Sequence, residues 1–436
     1  MGRRQTDGSE ARFEAYVDGL ASVIGHADRE GPLRDYCTGL ILPGERKSVE
    51  PMAAITAPER VSAQHQSLLH FIGQGGWSDE NVMGKVREMV LPQMERNEPI
   101  KVWIIDDTAF PKQGAHSVGV ARQYCGRLGK QDNCQVAVSL SLANSHASLP
   151  VAYRLYLPKE WAQDETRRRK AGVPDDITFK TKPEIALEQI QWAYKLGLPG
   201  DVVVMDAGYG ANTDLRTNIT DMGLQYVAGI LPNTSVWEPG NEPLAPKKST
   251  GRERPAKLMH RSAEHQSFSV KDLALALPSS DWRTITWREG AAEALSSRFA
   301  RVRVRAAHRD YKLTDCRPEE WLLIEWPEGE KEPTKYWLST LPSNISFHRL
   351  VDYAKLRWLI ERDYEELKQE VGLGDFEGRG WRGFHHHATL SIAVYGFLIS
   401  EREAFPPSRP LALVNRLSRC PCCAAPNPGR ARRKNC

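Results

Sequence analysis

The run Asp201-Val202-Val203-Val204-Met205-Asp206 constrains this chain more than any other six residues. Successive side chains of a strand point to opposite faces, so a strand that is apolar on both faces belongs inside a covered sheet, as parallel strands in α/β folds do. A second run, Val102-Trp103-Ile104-Ile105, closes on Asp106-Asp107, as the first closes on Asp206. A carboxylate at the end of a buried strand is costly unless it is paired or bound to a cation. Two such ends invite a shared metal, and hard oxygen ligands suit Mg²⁺ or Mn²⁺ while leaving coordination positions for phosphate oxygens and water. Either Asp alone is as well explained by a turn cap, so the pair needs a third ligand.

Around these runs the chain divides by pattern. Apolar residues at helical spacing over 13–24, 67–72 and 82–94, with a helix start at Ser78-Asp79-Glu80, predict a helical N-terminal domain over 1–97, expected to bind DNA because a helix is the element that fits a major groove. Short β-rich runs at 101–107, 134–142 and 149–157 predict an antiparallel meander. A helix opened by Pro183 comes next, then the Val202 strand, a helix over 212–222 and a strand over 224–231. The order βββ-α-β-α-β is that of an α/β mixed sheet with helices on its faces. Core segments are therefore expected at 98–234 and 334–400. They are separated by a mostly β subdomain over 235–333, rich in proline, charge and tryptophan, and followed by a basic tail over 401–436.

The third ligand is offered by the segment 347–371, read as one long helix. Tyr353, Arg357, Glu361, Tyr364 and Lys368 fall on one stripe of it, and Leu356, Leu359, Ile360, Leu367 and Val371 on another. Arg357 and Glu361, at i and i+4, also fit an ordinary exposed ion-pair ladder worth a few tenths of a kcal/mol per pair. Two tyrosines in line with the charges fit that ladder less well.

At these residues the chain resembles a known family. Asp107-Thr108, the stretch from Met205-Asp206-Ala207 to Gly208-Tyr209-Gly210, and Tyr353 through Arg357 and Glu361 to Lys368 look like the DDE transposases of bacterial insertion sequences. The likeness is to the branch with a Tyr, Arg-x3-Glu-x6-Lys signature and a β-rich insertion before the last acidic residue. Flanking text at 46–51, 104–112, 118–126 and Gly378-Arg379 extends the resemblance over roughly residues 10–400. Tyr353 departs from the pattern, standing four residues before Arg357 where the signature has three. The resemblance implies an RNase-H-like core whose catalytic and metal-binding residues are Asp106 or Asp107, with a slight preference for Asp107, together with Asp206 and Glu361. It implies Mg²⁺, with Mn²⁺ able to substitute, and DNA contacts from Arg357, Lys368, and Tyr353 or Tyr364. The expected activity is cut-and-paste transposition by a homodimer acting on terminal inverted repeats and target DNA in a bacterial cytoplasm, at the nucleoid. A nuclease of the same fold that never joins strands, and a non-catalytic DNA-binding descendant, are the alternatives.

Other features bear on partners. The net charge is +4, from 59 Lys and Arg against 55 Asp and Glu, so any nucleic-acid surface must be local. Eight basic residues oppose two acidic ones after residue 400, which reads as a solvated tail or a backbone-binding arm. Arg301, Arg303 and Arg305 alternate with valines and are expected to present three guanidinium groups from one strand face to DNA phosphates. Lys112 and Arg122 come after Asp107 and are expected to line the path of the scissile strand. Arg167 to Lys170 reads as a charged loop. Cys420-Pro421-Cys422-Cys423 with Cys436 is a weak zinc signal, and His385-His386-His387 reads as a helix-start cluster. There is no phosphate-binding GxxxxGK[ST] loop, no secretory signal is visible, and no apolar run approaches a membrane span.

Overall fold

The computed structural model describes residues 3–246, 257–289 and 294–405. The chain opens with α1 (Arg3–Ala21), α2 (Glu30–Ile41), α3 (Val49–Thr56), α4 (Val61–Gly73) and α5 (Asp79–Met94). Next come β1 (Val102–Pro111), β2 (Ala121–Cys125), β3 (Lys130–Ala143) and β4 (Ser148–Leu155), then α6 (Lys159–Ala162), α7 (Glu165–Ala171) and α8 (Lys182–Lys195). The core continues through β5 (Val202–Met205), α9 (Ala207–Gly210), α10 (Thr213–Asp221) and β6 (Gln225–Ile230). The intervening region holds β7 (Ser235–Trp237), β8 (Phe268–Ser269), α11 (Val270–Ala276), β9 (Arg283–Glu289), β10 (Ala294–Ala306) and β11 (Glu320–Trp326). It leads to β12 (Lys335–Ser339), α12 (Phe347–Lys355), α13 (Trp358–Gln369) and α14 (Trp381–Ala404).

The core strands lie in the order β4-β3-β1-β5-β6, with β4, β3 and β1 antiparallel and β5 and β6 parallel to β1. A meander followed by helical crossovers to two parallel strands is the RNase-H-like topology, so the expected fold class holds. The crossovers form where the sequence signals them. Thr181 and Glu184 close a capping box at the start of α8, which buries Ile185, Ala186, Ile190 and Ala193. Asn212 caps α10 through the Leu215 N–H.

Two expectations are corrected. The first concerns β1, which does not end at Asp107 but pairs with β3 from Val102 to Pro111, while its parallel pairing with β5 stops at Ile105 and Met205. Both aspartates therefore sit in mid-strand, on the flank that opens where β5 ends. The mostly β segment 235–333 extends the core sheet: β12 pairs with β6, β11 with β12 and β10 with β11, giving one 12-stranded sheet. Composition marked the insertion, but composition does not report strand pairing.

Residues 1–97 are helical as expected, and their helices share one core with α14. The Tyr16 hydroxyl donates to the Ala393 carbonyl at 2.8 Å, Phe13 meets Phe397 edge-on at 5.1 Å, and Trp77 stacks on His386 at 3.6 Å. The histidine triplet therefore lies inside α14, one turn past its start, and seats it. The second correction concerns the helix over 347–371, which breaks between α12 and α13, where Leu359 and Ile360 donate to the i−3 carbonyls of Leu356 and Arg357 in a tightened turn. The cysteine cluster at 420–436 and the rest of the basic tail beyond residue 405 lie outside the described residues.

Candidate active site

An open cleft of about 1100 Å³ lies where β1 outruns β5. Asp106, Asp107, Asp206, Arg357, Glu361, Tyr364 and Lys368 all border it, so the strand aspartates and the α13 stripe meet as the sequence predicts. Tyr353 does not. It is on α12, before the break, and borders a separate cavity with Trp287 and Trp358.

Adjacent residues of β1 point to opposite faces, and the two aspartates have different partners. Asp106 faces α13: its Oδ2 lies 2.8 Å from Arg357 Nη1, and Arg357 Nη2 lies 3.1 Å from Glu361 Oε1. Asp107 faces the other way, where its Oδ2 accepts from Lys182 Nζ at 3.1 Å and from the Tyr209 hydroxyl at 3.0 Å. Asp206 caps α9, accepting from the Gly208 and Tyr209 N–H groups at 2.9 and 3.3 Å. That turn presses on β6, where a Cβ on Gly210 would fall 2.0 Å from the Gly229 carbonyl oxygen, so the close approach requires glycine.

The electrostatics arise from this crowding. Burial pushes the Asp106 carboxyl up to about 7; Arg357 opposes the rise, and Asp206 and Asp107 add to it. Burial disfavours the charge on Arg357, but Asp106, Asp206 and Glu361 outweigh it and raise its pKa. Burial, followed by Asp107, raises the Tyr209 phenol, which stays a proton donor to that carboxylate. Glu361 is 65% exposed against 13% for Asp106. The donors are all carboxylate oxygens and include a buried group incompletely compensated, which fits a hard divalent cation. Among the described residues no three His, Cys, Asp or Glu side chains are gathered closely enough to hold an ion, because Arg357 lies between Asp106 and Glu361.

The other expected DNA contacts divide. Lys368 reaches the Ala109 carbonyl at 3.1 Å across the cleft wall. Tyr364 is buried and its hydroxyl is bonded to Ser139 Oγ, so it is a packing residue of the cleft floor and presents no ring for stacking. Lys112 donates to the Phe376 carbonyl at 2.7 Å, and Arg122 is exposed on β2. The arginines of β10 do share one face, but their guanidinium groups are turned to the protein. Arg301 donates to the Ile345 carbonyl at 2.7 Å and lies over Trp321 and Phe347, Arg303 bonds the Glu319 carbonyl, and Arg305 donates to the Arg317 carbonyl at 2.7 Å. Strand alternation gave their direction correctly and could not show what lay there. Lys182 and Tyr209, the partners of Asp107, were missed. Lys182 stands beside the helix-starting proline, a purely structural signal, and Tyr209 lies within the stretch that carries the family resemblance, which assigns it no role.

A family model described as DDE superfamily endonuclease matches residues 19–294, a span that includes Asp106, Asp107 and Asp206 and ends before Glu361. A probable transposase for insertion sequence element IS701 from Microchaete diplosiphon is 31% identical over 196 residues, 45% of this chain and 47% of that protein. The match thus spans about half the length of that curated relative. Among solved structures, the NurA nuclease from Sulfolobus solfataricus aligns over 73% of this chain and 88% of its own at 9% identity, with a TM-score of 0.23. The β4-β3-β1-β5-β6 topology rests on strand pairing and does not lean on that alignment.

Proposed function

The chain belongs to the DDE superfamily endonucleases, and on that premise we propose that it is a DNA transposase that cleaves at the ends of a mobile element and joins the freed ends to target DNA. The observation that carries the reading is the meeting of Asp106, Asp206 and Glu361, from β1, the end of β5 and α13, around one cleft and one guanidinium. Asp106 is preferred to Asp107 as the first acid, because it shares a side of the sheet with Arg357 and Glu361 while Asp107 is engaged by Lys182 and Tyr209. With Mg²⁺ or Mn²⁺ bound by these carboxylates, the ion supplies Lewis acidity at a phosphodiester and activation of water or a 3′-hydroxyl.

This chain's own residues do the rest. Glu361, exposed on the first turn of α13, reaches the ligand set by leaving Arg357, and the released guanidinium is placed to take a phosphate beside the cut. Lys368, two turns along α13, holds a second phosphate. Lys182 and Tyr209 hold Asp107 oriented at the cleft edge. Its partners are then DNA ends and target DNA, engaged by a pair of chains. No helix among the described residues is long and apolar enough to cross a membrane.

Incubation of the full chain with DNA carrying the sequences that flank its reading frame, with Mg²⁺ or Mn²⁺, tests the reading. Cleavage at the ends together with joined products is expected. Cleavage without joining of pre-cut ends would reduce the protein to a nuclease, and unimpaired cleavage by Asp206→Asn would remove that residue from the site.

A further inference from the structure

Beyond the phosphates that Arg357 and Lys368 would take, the cleft has no excess of positive charge with which to hold a nucleic-acid backbone. Its lining carries seven carboxylates against three basic side chains, Lys182, Arg357 and Lys368. Two divalent cations would bring that balance only to zero, so the cleft offers no net attraction to the phosphates that lie beyond the scissile one. The grip must come from adjoining surface.

That surface lies beside the segment 374–380. Gly374 and Asp375 border both the cleft and a second cavity of about 460 Å³, and Asp375, Phe376, Glu377 and Arg379 border both this cavity and a third, also of about 460 Å³. One segment therefore forms the common bank of three hollows in sequence, leading from the cleft to the wall made by α4 and its neighbours. The segment is held close by Gly372, whose φ of +75° admits the turn and whose Cβ would overlap the Lys47 side chain. Along the two outer hollows the charge ratio inverts, with seven lysines and arginines against Glu50, Asp375 and Glu377. Arg46, Arg169, Lys170, Arg379 and Arg382 are exposed, and Lys112 is half-buried at the junction with the cleft. Arg169 and Lys170 come from the last turn of α7, where the sequence predicted only a charged loop.

We propose that these two hollows form a phosphate track, the surface along which the DNA duplex flanking the scissile bond runs from the cleft toward the N-terminal helices. The track rests on the transposase reading for its occupant and on the inversion of charge for its place. Phosphate contacts supply affinity and register, and each one lost lowers the salt dependence of binding by about one unit of slope. DNA too short to leave the cleft therefore gains nothing from the track, whereas longer flanks gain affinity from it.

The experiment measures binding of the full chain, in chelator so that no DNA is cut, to fluorescent duplexes of about one and about three helical turns over a range of salt. Wild type is expected to prefer the long duplex. The Arg169→Glu/Lys170→Glu protein is expected to lose tenfold or more on the long duplex, with a salt slope shallower by about two, and to change little on the short one. Arg379→Glu should act in the same sense. Lys195→Glu, at the exposed end of α8 away from the three hollows, controls for overall charge, and unchanged thermal melting controls for folding. Equal weakening by Lys195→Glu, or a wild-type length preference preserved in the double variant, overturns the track and leaves the transposase reading standing. Absence of any salt-sensitive DNA binding by wild type overturns both.

Discussion

Arg357 joins Asp106 to Glu361, 2.8 Å from one carboxylate and 3.1 Å from the other, so a side chain on the joint before α13 neutralises two acids that approach from different elements. Neither contact spans more than a hydrogen bond, yet the first links residues 251 positions apart.

Replacing Arg357 by Gln tests this link through pH. Asp106 is already raised to about 7 with Arg357 opposing the rise, so removing Arg357 raises it further above the ordinary value of 3.8. A carboxyl raised in the folded state contributes stability that is present in acid and lost as pH rises through the folded value. Metal-free Arg357→Gln should therefore be less stable than wild type at pH 8, by up to about 3 kcal/mol, with the gap narrowing at pH 5. A gap of the same size at both pH values, by denaturant titration, would show that Asp106 does not feel Arg357.

Glu361→Gln and Glu365→Gln separate a ligand from an ion-pair ladder. Both residues are exposed on α13, and Glu365 accepts from Gln369 at 3.3 Å, so each change should alter stability by less than about 1 kcal/mol. Only Glu361→Gln should lose cleavage by several orders of magnitude and lose most of the thermal stabilisation that Mg²⁺ gives the wild type. Matching cleavage rates for the two proteins would return α13 to the ladder.

Tyr364→Phe should act on folding and not on DNA. It leaves Ser139 Oγ buried without its hydrogen-bond partner, a loss of about 1–2 kcal/mol, while DNA affinity stays within about twofold because the ring is covered. A tenfold loss of affinity in a protein of unchanged stability would make Tyr364 a contact residue after all.

His387 sets an acid limit. Its buried ring accepts from the Tyr36 hydroxyl at 2.8 Å and donates to the Gly372 carbonyl at 3.0 Å; burial lowers its pKa to about 4, with Lys112 and Asp375 as the charged groups facing it. Unfolded chains take up the proton near about 6.5, so this group's contribution is complete above that value and declines as pH falls toward 4. Asp79, raised to about 7 beside His386, has the opposite slope over the same range. A comparison isolates the ring: between pH 8 and 5, wild type should lose about 2 kcal/mol more than His387→Gln. Parallel losses would place the acid sensitivity elsewhere.

Much of this site was legible because it is written in strand runs and a short helix signature. Val202 to Met205 and Val102 to Ile105 had to be covered strands, and the residues just past a covered strand had to surface at a sheet edge. The side of the sheet was not legible. Asp106 and Asp107 are chemically identical neighbours, and only the partners brought in by α8, α9 and α13 distinguish them. The break at Leu356-Arg357 was invisible for a related reason: no Pro or Gly marks it, so periodicity ran through it and put Tyr353 on the wrong stripe. The packing of the flanking segments was not legible either. Residues 1–97 and 235–333 differ in texture from the core, but Tyr16 and Trp77 tie the first into its packing, and Ile324, paired with Tyr336 of β12, ties the second into its sheet.

That last tie has a mechanical consequence. From β4 through β6 to β10 the ladder is unbroken, so the acids of β1 and the tryptophans of the insertion ride on a single stiff plate with no hinge between them. If the protein admits a duplex and releases a product as proposed, it does not do so by swinging that insertion. Compliance is left to the joint between α12 and α13, where one residue of the joint is Arg357 itself, so any bending of the frame there is also a change in what neutralises the site.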